Sequence, residues 1–212
     1  LVDLVTSWER SSHFLKTDIL DPDIFIMVLC VRCGIFNYVS EKFVKEPKLG
    51  HKVANNVTAL VWSMRQINGI WNDFPHSSEQ EHSGMLLLEL LLAQGLDPNI
   101  EFKGVTEWRI ILEDLGGESS LADDRRLKSF VGLKLLLRHG ADFQQQCTIY
   151  GIYGKFGDIR TVTASELLRE WYNADQFGML EDIVKRREMK KKMRHGISKK
   201  IGHLKLWVSS KK

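Results

Sequence analysis

Met85-Leu-Leu-Leu-Glu-Leu-Leu-Leu-Ala-Gln-Gly-Leu-Asp-Pro-Asn99 and Leu133-Lys-Leu-Leu-Leu-Arg-His-Gly-Ala-Asp-Phe143 carry one phrase twice, a leucine-rich run ending on Gly-x-Asp. A helix that stops abruptly needs a residue at positive φ, which glycine reaches without a Cβ clash. Gly95 and Gly140 stand where that residue is required. Arg138 and His139 precede the second glycine, at the helix end whose dipole favours cations. Asp97 and Asp142 follow two residues after the glycines, where a short carboxylate can accept backbone N–H bonds and tighten the turn. The leucines are too dense for one narrow stripe. Leu86, Leu87, Leu90 and Leu91 are expected to face one neighbour and Leu88 and Leu92 another, as in a helix sandwiched within a stack.

Beyond the first phrase, Gly104-Val-Thr-Glu-Trp-Arg-Ile-Ile-Leu112 launches another helix, with Thr106 as its N-cap. A leucine-rich helix, a Gly-x-Asp exit and a Thr-capped successor together resemble the ankyrin repeat, whose first helix begins Thr-Pro-Leu-His-x-Ala. Here Glu107 stands for the proline, Trp108 for the leucine, Arg109 for the histidine and Ile111 for the alanine, so the resemblance is to a degenerate repeat. Its signature residues are Gly95, Asp97, Asn99, Thr106, Trp108, Gly140 and Asp142. The interval from Gly95 to Gly140 is 45 residues, against a family period of about 33. The surplus is expected in a polar loop around Gly116-Gly-Glu-Ser-Ser120. The expected fold class is all-α, an α-solenoid of degenerate ankyrin-like helix pairs, with an unrelated helical bundle as the competing architecture.

The rest of the chain continues in helices. Asp21-Pro-Asp-Ile-Phe-Ile-Met-Val-Leu-Cys-Val-Arg-Cys-Gly34 opens on a cap and proline and closes on glycine. Ile35 to Phe43 reads as a short helix with Ile35, Tyr38, Val39 and Phe43 inward. Between Val53 and Ile70, Val57, Leu60, Val61, Met64 and Ile67 recur at helical spacing. Ser78 and Glu81 have capping-box spacing ahead of the first leucine phrase. Cys147 to Gly157 mixes β-favouring residues with glycines and fits an extended hairpin. Thr163 and Glu166 form a second capping box, and a last helix is expected from Leu180 to about Met193.

Phe25 to Phe43, with its Cys33-Gly-Ile-Phe-Asn-Tyr-Val-Ser-Glu-Lys-Phe, followed by the leucine phrase and the Thr-capped Trp108 helix, resembles the C-terminal helical region of fungal NACHT-type (NLR-like) NTPases. The resemblance covers roughly residues 20 to 145. It implies a sensor or scaffold role in a large intracellular protein, contacts with upstream domains, and nucleotide-binding machinery outside this sequence. The chain starts at Leu1 and is expected to be a fragment.

Charge divides the chain. The net charge is +3, yet Lys185 to Lys212 holds twelve Lys/Arg and one acid, Glu188, so the residues before it sum to −8. We therefore expect a helical solenoid over 1–182 and a basic C-terminal tail over 183–212, with a linker-like transition near residue 183. Met189, Met193, Ile197, Ile201 and Leu204 recur at helical spacing within that tail. Lys190, Lys191, Lys192 and Arg194 are its candidate anion-binding residues. A solvated end docked on the acidic body, nucleic-acid or nuclear targeting, and contact with an anionic membrane all remain open for it.

The remaining chemistry points away from catalysis. Cys30-Val-Arg-Cys33 has redox or zinc spacing but lies at the C-terminal end of an apolar helix, with no second pair to complete a zinc site. Gly151-Ile-Tyr-Gly-Lys-Phe-Gly157 lacks Walker spacing, and Phe156 replaces the hydroxyl. The seven histidines form no metal pair, and no Gly-x-Ser-x-Gly elbow exists. Three cysteines suit a reducing compartment, and no apolar run reaches the ~20 residues of a membrane span, so a cytoplasmic or nuclear location is expected. The sequence thus leads to a non-enzymatic protein–protein interaction module whose protein partner is unknown, with no catalytic residue, cofactor or metal, binding through its loops and first helices. The alternative is a nucleic-acid-binding or nuclear-targeting module acting through the tail.

Overall fold

Val39 and Phe43, then Leu60, Val61, Met64 and Ile67, are buried at three-to-four-residue spacing, and that period winds both segments as helices. The computed structural model of the chain describes residues 30, 36–46, 59–67, 78–102, 104–116, 122–150 and 159–209. Among them are seven helices: α1 (Phe36–Lys45), α2 (Ala59–Ile67), α3 (Ser78–Ala93), α4 (Glu107–Gly116), α5 (Ala122–Arg138), α6 (Ala164–Trp171) and α7 (Ala174–Ser209). The proposed helix ending at Gly34, apart from Cys30, and the Gly151–Gly157 loop lie outside the described residues.

The fold is mostly helical, but not purely so. Strands β1 (Glu101–Phe102) and β2 (Val105–Thr106) pair antiparallel with Glu101 opposite Thr106. Strands β3 (Gln146–Tyr150) and β4 (Ile159–Thr163) do the same with Gln146 opposite Thr163. Each hairpin follows a Gly-x-Asp turn, and pairing its two arms satisfies backbone groups that a plain loop would leave to water.

A short helix precedes a longer one three times over: α2 and α3 with 9 and 16 residues, α4 and α5 with 10 and 17, α6 and α7 with 8 and 36. Each packs against its own partner, and α2 also meets α4, α3 meets α5, and α5 meets α7. One core runs through the series, with Leu87, Leu88, Leu91 and Leu92 of α3, Trp108, Ile111 and Leu112 of α4, and Leu133, Leu136 and Leu137 of α5. Burying each leucine contributes about 1.5–3 kcal/mol.

Several local expectations change. Leu86 is 50% exposed, so α3 is covered on fewer sides than its leucines suggest. Tyr38 is likewise exposed. Gly116, expected in a polar loop, is instead the buried last residue of α4, where a Cβ would lie 2.6 Å from Ile149 Cδ1, and the rest of that expected loop, 117–120, lies outside the described residues. Gly132 brings α5 onto α2: a Cβ would stand 2.6 Å from Met64 Sδ.

The last helix starts earlier and ends later than its sequence pattern predicts. Asn173 caps it reciprocally, with Gln176 N donating to Asn173 Oδ1 at 2.9 Å and Asn173 N donating to Gln176 Oε1 at 3.3 Å. From there α7 runs unbroken through residue 183, so the charge boundary falls inside one helix and the backbone has no linker at that point.

Candidate functional site

The two Gly-x-Asp turns are built bond for bond alike. Gly95 has φ 88° and Gly140 φ 116°, as an abrupt helix stop requires. Leu96 N donates to Leu91 O and Ala141 N to Leu136 O, closing the two helices in the same way. Asp97 Oδ1 accepts from Asn99 N at 2.9 Å, and Asp142 Oδ1 accepts from Gln144 N at 2.9 Å. Trp108 N then bonds Pro98 O, and Ser165 N bonds Phe143 O, both at 3.0 Å. Thr106 and Thr163 each cap the next helix, accepting from Arg109 N at 3.1 Å and Glu166 N at 3.2 Å. Glu166 returns the bond to Thr163 N at 2.8 Å, completing its capping box. The second hairpin is simply longer: Gly95 to Gly140 spans 45 residues, Thr106 to Thr163 spans 57.

Asn99 joins one turn to the other. Its Nδ2 donates to Gly140 O at 2.9 Å and its Oδ1 accepts from Asp142 N at 2.8 Å, while Asp97 Oδ1 orients the amide at 2.8 Å. Trp108, fully buried, adds a second link by donating Nε1–H to Asp142 O at 2.8 Å. Asp97, Asn99, Trp108, Gly140 and Asp142 therefore meet at one seam, while Gly95 ends α3 and Thr106 caps α4. Polar contacts close the neighbouring flank of α4, where Arg65 grips Asp114 at 2.6 and 3.0 Å and Glu113 accepts from Thr148 N at 2.8 Å.

Glu107, the first residue of α4, is 1% exposed. Its Oε2 accepts from Leu60 N at 2.8 Å and Val61 N at 3.3 Å, capping α2 across 47 and 46 residues of chain. Burial pushes its carboxyl up to about 8, while the two amides pull it down. The folded state then keeps a proton that the unfolded chain gives up near 4.5. Stability from this group is expected to be full below about pH 4.5 and to fall as pH rises through 8. Thermal melts of wild type and Glu107→Gln across that window check this. The wild type should lose Tm with rising pH while the Gln variant stays flatter, and parallel curves would contradict it.

Cys147 is buried, and burial first, then Glu113, push its thiol up to about 12, which makes it a poor nucleophile. The tail residues Lys190, Lys191, Lys192 and Arg194 are exposed on α7, and among the described residues no carboxylate pairs with them. They stand apart from the seam. Arg187, just before them, is different: its Nη1 donates to Leu137 O at 3.0 Å and Ala141 O at 3.1 Å, setting a cation on the C-terminal end of α5.

Compared with models of protein families, with curated proteins and with solved structures, the chain matches none.

Sequence reasoning missed Glu107 and Arg187. An acid at a helix start and an arginine in a basic run ordinarily face water. The one available signal was Glu107 standing where the repeat motif has proline, between Thr106 and Trp108.

Proposed function

We propose that this chain is a non-enzymatic protein-binding module, a short solenoid of degenerate ankyrin-like helix pairs that forms the sensor or scaffold end of a larger NACHT-type protein. The observation that carries this reading is the duplicated hydrogen-bond set with Asn99 bridging its two copies. Short-then-long helix pairs touching mainly their neighbours support it as well. The NACHT part rests on the sequence resemblance, and is tested by reading the transcript upstream of Leu1 for a nucleotide-binding core.

Successive repeats present equivalent positions in rows. Leu86 of α3 and Val131 of α5 are such a pair, 50% and 48% exposed, and Leu127, one turn before Val131, is 60% exposed. No residue of α4 is exposed, which favours the outer flank of α3 and α5 over α4 as the docking surface. Apolar side chains repeated in water are the kind a protein partner covers.

The test is in-cell cross-linking of the whole chain beside the triple variant L86S/L127S/V131S, read by mass spectrometry. Surface substitutions of this kind alter stability by about 0.5 kcal/mol at most. The wild type should recover a discrete set of proteins that the equally stable variant loses. Identical recovery from both would remove the reading.

A second reading, nucleic-acid binding or nuclear targeting through the tail, is favoured by the exposed Lys190, Lys191, Lys192 and Arg194. It requires salt-sensitive binding of duplex DNA by the whole chain.

A further inference from the structure

Helix α7 changes its surroundings halfway along. Phe177 and Leu180 are buried, Ile183 and Val184 pack partly against the core, and Arg187 ties the helix to α5. From Met189 to Arg194 every side chain is exposed, Met189 by 53% and Met193 by 61%. At 3.6 residues per turn, Met189 and Met193 stand about 40° apart, and Met189 is about 180° around from Leu180. The apolar side of the helix therefore crosses from the face that meets the protein to the face that meets water. The backbone stays helical to Ser209.

We infer that the second half of α7 lies along an anionic lipid bilayer. Met189 and Met193 enter the acyl boundary, and Lys190, Lys191, Lys192 and Arg194 meet headgroup phosphates. Charge complementarity selects this surface: twelve Lys/Arg against one acid from Lys185 onward attract a negatively charged leaflet. The methionines discriminate between anionic partners. A nucleic-acid backbone satisfies the cations and offers a hydrocarbon side chain nothing, whereas the headgroup region accommodates both. The helix would lie in the plane of the surface, since among the described residues no helix is long and apolar enough to cross a membrane. This inference stands independently of the repeat reading.

The test is co-sedimentation of the whole chain with phosphatidylcholine vesicles, with and without phosphatidylserine, alongside duplex DNA. Binding should require phosphatidylserine. K190Q/K191Q/K192Q should weaken it about a hundredfold. M189S/M193S, at exposed positions that leave the fold intact, should weaken it about tenfold. Absence of vesicle binding overturns the inference. So does vesicle binding that ignores the methionine substitutions, or DNA binding in its place.

Discussion

The Leu91→Asp variant should have no folded state at ambient temperature. Leu91 is fully buried in α3, within the core shared with α4 and α5. Removing its side chain from that core forfeits about 2 kcal/mol. Placing a carboxylate there adds several more, because the charge must shed its water to enter a cluster of buried apolar side chains. The sum, about 5 kcal/mol or more, matches the whole stability of a domain at the low end of the typical 5–15 kcal/mol, the range expected for a short stack. Leu86→Asp, five residues earlier on the same helix but half exposed, should be nearly silent, within about 0.5 kcal/mol. Far-UV circular dichroism melts of the pair decide it. An unchanged Tm for Leu91→Asp would contradict the packing of α3.

Trp108→Ala has the next largest expected effect, about 3–5 kcal/mol for deleting a buried indole. It also removes the donor on Asp142 O, which belongs to the following turn. Trp108→Phe isolates that bond, because it keeps most of the apolar volume and forfeits about 1 kcal/mol. The signature is regional: amide hydrogen exchange should quicken around Ala141 to Gln145 in Trp108→Phe, well beyond the substituted helix. Exchange that quickens only within α4 would mean the two turns are not coupled through the indole.

How much of this could be read from the chain follows the range of each interaction. The glycine stops at Gly95 and Gly140, the Asp97 and Asp142 turns and the caps at Thr106 and Thr163 each involve residues within a few positions of one another, so their chemistry is written locally. The same holds for the inward faces of α1 and α2, apart from Tyr38. Of the hairpin after Asp142, the first arm was legible from the β-favouring residues that begin at Cys147, but its partner Ile159–Thr163 lies beyond the expected Cys147 to Gly157 range, and the other hairpin is too short to leave a pattern.

Tertiary structure decided the rest. Asn99 finds Gly140 O across 41 residues, Glu107 finds the α2 amides across 47 and 46, and Arg187 finds Leu137 O across 50. No local periodicity encodes such partners. Nor could composition say that Leu86 meets water while Leu87 does not, since a helix rich in leucine on every side leaves its exposed flank to be chosen by whichever neighbours pack against it. The amino acids by themselves determined where α3 and α5 stop and where α4 and α6 begin, because capping and positive φ are properties of a few adjacent residues. Which polar group is buried, and which apolar one is left outside, was settled only when distant segments closed over them and removed water.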